Sequence, residues 1–136
     1  MPTRTRRRIH AAVAVIERRG RILICRRRAD DSFGGCWEFP GGKRESGESW
    51  EACLRREVRE ELGVAVRALK PYGWMRHEFP DGTVSFRVFR CAIARGRPRA
   101  LGAQALRWVL AGELKRYRFP PANRRILARL AEERRA

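Results

Sequence analysis

Three closely spaced glutamates are the residues of this sequence best suited to chemistry. Glu57, Glu60 and Glu61 occur in the stretch REVREE, so they stand at positions i, i+3 and i+4. In a helix this spacing places all three carboxylates on one face, about 5–6 Å apart. Like charges so close repel one another, whereas a hard cation such as Mg²⁺ takes oxygen ligands. The cluster would suit a metal site, but the spacing alone favours the simpler alternative, a solvated helix carrying ion pairs such as Arg56–Glu60.

The glutamates stand out because the rest of the chain is strongly basic. The formal net charge is +17, and arginine supplies nearly all of the positive charge, since the lysines are only Lys43, Lys70 and Lys115. This preference is either a genome-wide compositional habit or an attraction for polyanions such as nucleotides, nucleic acid or anionic lipid. Yet 6 of the 15 acidic residues lie within residues 41–64. That local concentration of carboxylates favours a site.

Length and composition predict one domain. The chain has 136 residues, of which 43% are hydrophobic, enough for a core. We expect a single domain over residues 1–136, with residues 1–8 as a flexible basic N-terminus. No stretch approaches the ~20 apolar residues that cross a bilayer, and Glu17 ends the first apolar run too early for a signal peptide. We therefore expect a cytoplasmic location and no membrane partner.

The cysteines do not predict a metal centre. Cys25, Cys36, Cys53 and Cys91 show no CxxC spacing, and the chain has only two histidines. Three of the four lie in apolar, periodic segments. We expect buried free thiols and no zinc site.

The elements that position the glutamates can be read from hydrophobic periodicity. A helix is predicted from Ser49, with Ser46 or Ser49 as its cap, to Gly63 as its stop. A second helix is predicted at Asn123–Glu133. Strands are predicted at His10–Ile16, Arg21–Arg27, Trp37–Phe39, Val64–Leu69, Trp74–Phe79, Val84–Ala94 and Leu106–Leu110, the first two forming a hairpin. This order of strands, helix, strands and helix favours a mixed α+β sandwich over a doubly wound fold.

The residues around the glutamates carry a resemblance to a known family. The stretch GKRESGESWEACLRREVREELGV begins at Gly42 and ends at Val64. It resembles a complete Nudix box, with all nine fixed positions of that motif filled. WEFPGGK, EFPDG and FPPAN resemble the MutT branch of the family, and the likeness covers about residues 9–131. The resemblance implies an αβα sandwich with a mixed central sheet and two main helices, and metal-dependent hydrolysis of a nucleoside diphosphate linked to another group.

The resemblance implies roles for individual residues. Metal-binding residues of the family match Gly41, Glu57, Glu60 and Glu61, with Glu57 or Glu60 acting on the water, and Mg²⁺, or Mn²⁺ in its place, as the cofactor. Glu48 and Arg56 match a pair that braces the loop against the helix. The residues that match substrate-binding positions are Arg27, near the substrate, Phe39 and Asp81, which line the base pocket, and Asn123, which reads the base edge.

The chemistry of an amide supports the assignment of Asn123. An asparagine side chain offers both a donor and an acceptor, and 8-oxoguanine presents O6 as an acceptor and a protonated N7 as a donor. The alternative is that Asn123 caps the last helix after Pro120 and Pro121, and both roles are compatible.

The chain departs from the family at one place. Relatives usually carry an acidic residue where this chain has Leu101-Gly102-Ala103. Its absence leaves open the number of metal ions and the identity of the base, with Glu78 or Glu113 as substitutes.

The resemblance implies a nucleoside triphosphate substrate. The expected reaction converts 8-oxo-dGTP to 8-oxo-dGMP and pyrophosphate, as in sanitation of the nucleotide pool that feeds DNA replication and repair. CTP, dCTP or another nucleotide is the alternative within the family. A nucleotide- or nucleic-acid-binding module with a decayed active site is the alternative of another class, and nucleic acid is not expected to be the primary partner.

Overall fold

The computed structural model describes residues 7–135. Its elements follow the predicted order of strands and helices. Seven strands are present in this range: β1 (Arg7–Arg18), β2 (Arg21–Arg26), β3 (Trp37–Glu38), β4 (Gly41–Lys43), β5 (Ala65–Phe79), β6 (Gly82–Arg95) and β7 (Ala105–Leu110). Two α-helices complete them, α1 (Trp50–Leu62) and α2 (Arg124–Arg135). Short 3-10 helices at Ala111–Arg116 and Pro121–Asn123 lead into α2.

The sheet is mixed, and β1 lies at its centre. β1 pairs with β6 in parallel over ten residue pairs, from Arg7↔Gly82 to Ile16↔Cys91. On its other edge, β1 pairs with β4 in its middle, over Ala11–Val13, and with β2 only at the hairpin turn. β2 continues away from β1 to pair with β3 and β7. The two sheet halves therefore diverge, and β4 enters the gap between them.

Helices cover both faces of this sheet. Because side chains alternate along a strand, Ala12, Ala14 and Ile16 of β1 pack against α1. Val13 and Val15 pack against Ile126 and Leu130 of α2 on the other face. The run Ala11–Ile16 is buried throughout for this reason. The predicted α+β sandwich with two main helices is confirmed.

Caps fix the ends of α1 as the sequence predicts. The Ser49 hydroxyl accepts a hydrogen bond from the Ala52 N–H at 3.0 Å, so Ser49 and not Ser46 is the cap. Gly63 ends the helix in the left-handed region, with φ 72°, and its N–H donates to the Arg59 carbonyl. The buried face of α1 consists of Cys53, Leu54, Val58 and Leu62.

Two predicted boundaries are corrected. The separate strands predicted at Val64–Leu69 and Trp74–Phe79 form one strand, β5, whose pairing with β6 shifts at three irregular points. Arg7 and Arg8, predicted to lie in a flexible terminus, pair with Gly82 and Thr83. The remainder of that predicted segment, residues 1–6, lies outside the described residues. No helix in the described range is long and apolar enough to cross a membrane.

Candidate active site

The site forms where β4 meets α1. Gly41 opens β4 with φ 153° and lies so close to β1 that a Cβ atom would stand 2.1 Å from the Ala12 carbonyl oxygen. Only glycine fits this position, because any side chain would collide with backbone. The tight approach brings the 41–42 backbone over the carboxylates of α1: Gly41 N–H lies 3.3 Å from Glu61 Oε2.

Arg56 organises the carboxylates of the box. Its guanidinium donates to both oxygens of Glu48, at 2.6 and 2.9 Å, and to the Lys43 carbonyl at 3.0 Å. It also donates to Glu57 Oε1 at 2.8 Å and to Glu60 Oε2 at 3.3 Å. The hydrogen bonds from Arg56 lower the pKa of Glu48 to about 2. The predicted brace thus joins the loop to the helix, and the same guanidinium screens the repulsion between Glu57 and Glu60.

The three glutamates differ in exposure. The Glu57 side chain is 16% exposed and that of Glu60 is 59% exposed. Burial raises the pKa of Glu57. Burial, and then the charge of Glu38, raise the pKa of Glu61 to about 8. A bound cation would favour the charged form of both carboxylates.

Glu38 is a site residue that the sequence reasoning missed. It lies on β3, opposite Cys25 of β2, and its charge acts on Glu61. Burial raises its own pKa, against the effect of Arg27, whose guanidinium donates to it. The sequence does contain one indication of this residue, because Glu38 is a carboxylate between two aromatic residues, Trp37 and Phe39.

The predicted substrate residue Arg27 is held rigidly on the wall of the site. Besides Glu38, it contacts the carbonyl oxygen of Ser32 at 2.7 Å and the Ser32 hydroxyl at 3.3 Å. Its backbone carbonyl accepts from the Gln104 amide at 2.7 Å. The loop between β2 and β3 is therefore anchored to the guanidinium.

A cavity of about 440 Å³ is lined both by Gly41 and Gly42, which contact the carboxylates of α1, and by Asn123, just before α2. Phe39 also lines this cavity, and it stacks on Phe119 with ring centroids 5.3 Å apart. Other apolar residues also line the cavity, and the sequence did not predict them: Ile9, Val13, Phe33, Phe79, Val84 and Phe86.

Asn123 lines the cavity just before α2. It ends the 3-10 helix at Pro121–Asn123, and its N–H donates to the Pro120 carbonyl. Within residues 7–135 its side-chain amide makes no hydrogen bond, so both amide functions are available to a ligand. The side chain makes no capping hydrogen bond in the described range, and base recognition by Asn123 stays a prediction.

Three acidic residues considered from the sequence lie away from the cavity. Asp81 is exposed in the β5–β6 turn, where its carbonyl accepts from Arg7 N–H, and it is not among the cavity-lining residues. Glu78 is exposed and pairs with Arg76. Glu113 accepts from Leu110 N–H and lies 3.8 Å from Arg21. Neither Glu78 nor Glu113 lines the cavity, and a role for either in place of the missing loop acid stays a prediction.

The loop that lacks this acid lies against α1. The N–H groups of Leu101 and Gly102 donate to the Glu61 carbonyl at 3.0 and 3.2 Å. A Cβ atom on Gly102 would lie 3.3 Å from Glu61 Cγ. The segment thus packs against Glu61, and both of its N–H groups are used by the Glu61 backbone carbonyl near the end of α1.

The residues present fit a divalent cation, although they are not yet arranged around one. In the described range, no three His, Cys, Asp or Glu side chains are arranged to hold an ion as they stand. Two of the candidate ligands, Glu57 and Glu60, are instead paired with Arg56 at 2.8 and 3.3 Å. The donor set consists of oxygens, as Mg²⁺ or Mn²⁺ prefers, and the absence of a side chain at Gly42 leaves room for the Glu57 carboxylate.

Comparisons with known proteins agree with this geometry. A family model described as "NUDIX domain" matches residues 11–129. The chain is 32% identical over 125 residues to a protein of Escherichia coli named 8-oxo-dGTP diphosphatase, covering 91% of this chain and 97% of that protein. It is 34% identical over 115 residues to an E. coli protein named CTP pyrophosphohydrolase, covering 85% of each.

A solved structure extends the likeness to the fold. The solution structure of the E. coli ORF135 protein superposes with a TM-score of 0.81 at 31% identity, covering 98% of this chain and 96% of that one. Nudix hydrolases generally need a divalent metal, in keeping with the carboxylates on α1. With the box residues gathered beside the cavity and the domain match spanning most of the chain, this protein belongs to the Nudix family of hydrolases.

Proposed function

We propose that this protein is a Mg²⁺-dependent nucleoside triphosphate pyrophosphohydrolase, with 8-oxo-dGTP as its substrate and 8-oxo-dGMP and pyrophosphate as its products. One observation carries the proposal: a single cavity is lined both by Gly41 and Gly42, beside the carboxylates of α1, and by Asn123, whose amide makes no hydrogen bond in the described range. A nucleotide needs this arrangement, with an apolar slot for its base and a charged end for its phosphates.

At the phosphate end, the Gly41 carbonyl and the carboxylates of Glu57, Glu60 and Glu61 would hold the metal. A divalent ion there neutralises phosphate charge and makes a water molecule a stronger nucleophile. Glu57 or Glu60 orients or deprotonates that water. Glu60 is the more exposed of the two, and Glu57 is fixed by Arg56.

The water attacks a phosphorus of the triphosphate in line, and the bond to the bridging oxygen breaks, giving a nucleoside monophosphate and pyrophosphate. Arg27 stabilises phosphate charge from the cavity wall. Its fixed contacts with Glu38 and Ser32 mean that little reorganisation is needed when the substrate enters.

At the base end, Phe39 and Phe119 form an aromatic wall, and Asn123 supplies a donor and an acceptor. The Asn123 amide donates to O6 of 8-oxoguanine, and its oxygen accepts from the protonated N7. Unmodified guanine has no proton at N7, so it loses one of the two hydrogen bonds. The name of the E. coli 8-oxo-dGTP diphosphatase supports this choice of substrate.

CTP or dCTP is the second candidate substrate, and its support is the 34% identity to the E. coli CTP pyrophosphohydrolase. A module that binds nucleotides without hydrolysing them is less compatible with the site, because Glu57, Glu60 and Glu61 are all present. The cytoplasmic location and the role of Asp81 remain predictions.

A panel of nucleotides tests the proposal. Pyrophosphate release is measured for 8-oxo-dGTP, dGTP, CTP and dCTP with Mg²⁺, with Mn²⁺ and with chelator, for the wild type and for Glu57→Gln. Glu132→Gln, which removes an exposed carboxylate of α2, is the matched control. We expect 8-oxo-dGTP to be turned over fastest and chelator to abolish the turnover. Glu57→Gln should reduce turnover by orders of magnitude, whereas Glu132→Gln should leave it unchanged. Faster turnover of a pyrimidine nucleotide would overturn the substrate, and turnover that resists chelator would overturn the metal dependence.

A further inference from the structure

The face of the sheet opposite the cavity carries a cluster of tryptophan and arginine side chains. Val84 and Phe86 of β6 line the cavity, and strand alternation directs Ser85 and Arg87 to the other face. Arg87 pairs in register with Trp74 of β5. Since β5 and β6 are antiparallel partners, the side chains of Trp74 and Arg87 share this face.

The aromatic and cationic groups are stacked against one another. The Arg87 guanidinium lies 5.5 Å from the ring centroid of Trp74 and 5.5 Å from that of Trp50. Arg44 lies 5.3 Å from the Trp50 ring, and His10 meets it edge-on at 6.2 Å. We call these five residues the tryptophan–arginine face.

The charges of this face are not neutralised. Among the described residues, neither Arg44 nor Arg87 forms an ion pair with a carboxylate, although ten such pairs occur elsewhere in that range. Both arginines are exposed. The Trp74 ring is 59% exposed, which is unusual for so large an apolar side chain. Arg44 donates to the Glu48 carbonyl at 2.7 Å, which leaves its charge without a carboxylate partner. Guanidinium groups that lack a carboxylate partner, beside an open aromatic ring, suit a ligand that has both phosphates and flat bases.

We propose that the tryptophan–arginine face binds single-stranded nucleic acid. Arginines attract the phosphate backbone, and exposed aromatic rings stack with unpaired bases without regard to sequence. A duplex keeps its bases stacked inside, so it gains only the phosphate contacts. The net charge of +17 strengthens the long-range attraction. None of the five residues lines the cavity, so we expect an oligonucleotide bound here to leave the cavity open to a nucleotide.

Fluorescence anisotropy with a labelled oligothymidylate of about 16 nucleotides tests the proposal. The titration is carried out in chelator at several salt concentrations, so it does not depend on hydrolysis. The variants are Trp74→Ala and Arg87→Gln. Arg116→Gln is the matched control, since it removes one charge from a side chain that is 73% exposed and lies in the 3-10 helix after β7.

We expect Trp74→Ala to weaken binding about tenfold. Arg87→Gln should also weaken it and reduce the slope of log affinity against log salt by about 0.7. Arg116→Gln should bind as the wild type, and both face variants should keep wild-type nucleotide turnover. The proposal fails if the oligonucleotide does not bind, if Arg116→Gln weakens binding as much as Arg87→Gln does, or if Trp74→Ala binds as tightly as the wild type. Tighter binding of anionic vesicles than of the oligonucleotide, with the same variants affected, would also overturn it.

Discussion

Gly42 lies directly against the carboxylate of Glu57. A Cβ atom at position 42 would stand 2.3 Å from both Cδ and Oε2 of that glutamate. The clash is with the end of a flexible side chain and not with backbone, so Gly42→Ala should fold normally but move the Glu57 carboxylate. We expect a fall in kcat of at least about tenfold, because a catalytic group displaced by about 1 Å loses much of its effect. Steady-state kinetics and thermal unfolding measure the two effects separately.

The control for this substitution is Gly112→Ala, whose Cβ would meet the guanidinium of Arg134 at 2.5 Å, far from the cavity. Both variants displace the end of one charged side chain, but only Gly42→Ala should lose activity. Gly41→Ala should instead lose stability, because its Cβ would collide with the Ala12 carbonyl. Full activity of Gly42→Ala would show that the position of Glu57 is not critical.

The brace between Arg56 and Glu48 makes a second prediction. Arg56→Lys keeps the charge but cannot make both hydrogen bonds to Glu48 together with the one to the Lys43 carbonyl. We expect a loss of roughly 1–3 kcal/mol in the free energy of unfolding, measured by urea denaturation. Arg59→Lys, at an exposed position of the same helix, should be neutral. If both variants lost the same free energy of unfolding, the loss would reflect a general effect of arginine on helix stability and not the contacts of Arg56 with Glu48.

The sequence predicts the framework of this site better than its walls. The α1 helix, its caps and the three glutamates follow from local patterns, namely Ser49, the i, i+3, i+4 spacing and Gly63, and the structure has all of them. Glu38 could not be found in this way, because its partnership with Arg27 arises from the pairing of β2 with β3. The apolar wall formed by Ile9 and Phe86 likewise depends on which face each strand turns to the cavity.

The pair formed by Arg27 and Glu38 predicts a non-additive effect on stability. Their side chains are only 24% and 25% exposed, and burial already raises the pKa of Glu38. Removing Arg27 leaves a largely buried carboxylate without its main partner. We expect Arg27→Ala to cost roughly 1–3 kcal/mol in the free energy of unfolding, and Arg27→Ala with Glu38→Ala to cost less than that. A double variant less stable than the single one would show that the two side chains stabilise the fold independently.

The buried cysteines predict that the native protein reacts slowly with thiol reagents. All four thiols are free and buried, and burial raises the pKa of Cys91 to about 12 and increases those of Cys25 and Cys53. Because the thiolate is the reactive form, the native protein should react slowly with a disulfide reagent at about pH 8, whereas all four thiols should react at once in denaturant. Ala100→Cys, at an exposed loop position, is the positive control. Fast reaction of a native thiol would mean that one of the four is accessible.

The same thiols predict how stability depends on pH in the alkaline range. In the unfolded chain a thiol ionises at its ordinary pKa of 9.0, whereas in the folded chain Cys91 stays neutral up to about pH 12. A folded pKa above the unfolded one gives stability that is complete below pH 9 and is lost as the pH rises through the folded value. The melting temperature should therefore fall steadily above about pH 9. Cys91→Ala should begin from a lower melting temperature, because it leaves a cavity, but should decline less steeply with pH. If the melting temperature falls equally steeply with pH in the variant and in the wild type, other groups cause the alkaline loss of stability. Tyr72 is one such group, since burial also raises its pKa.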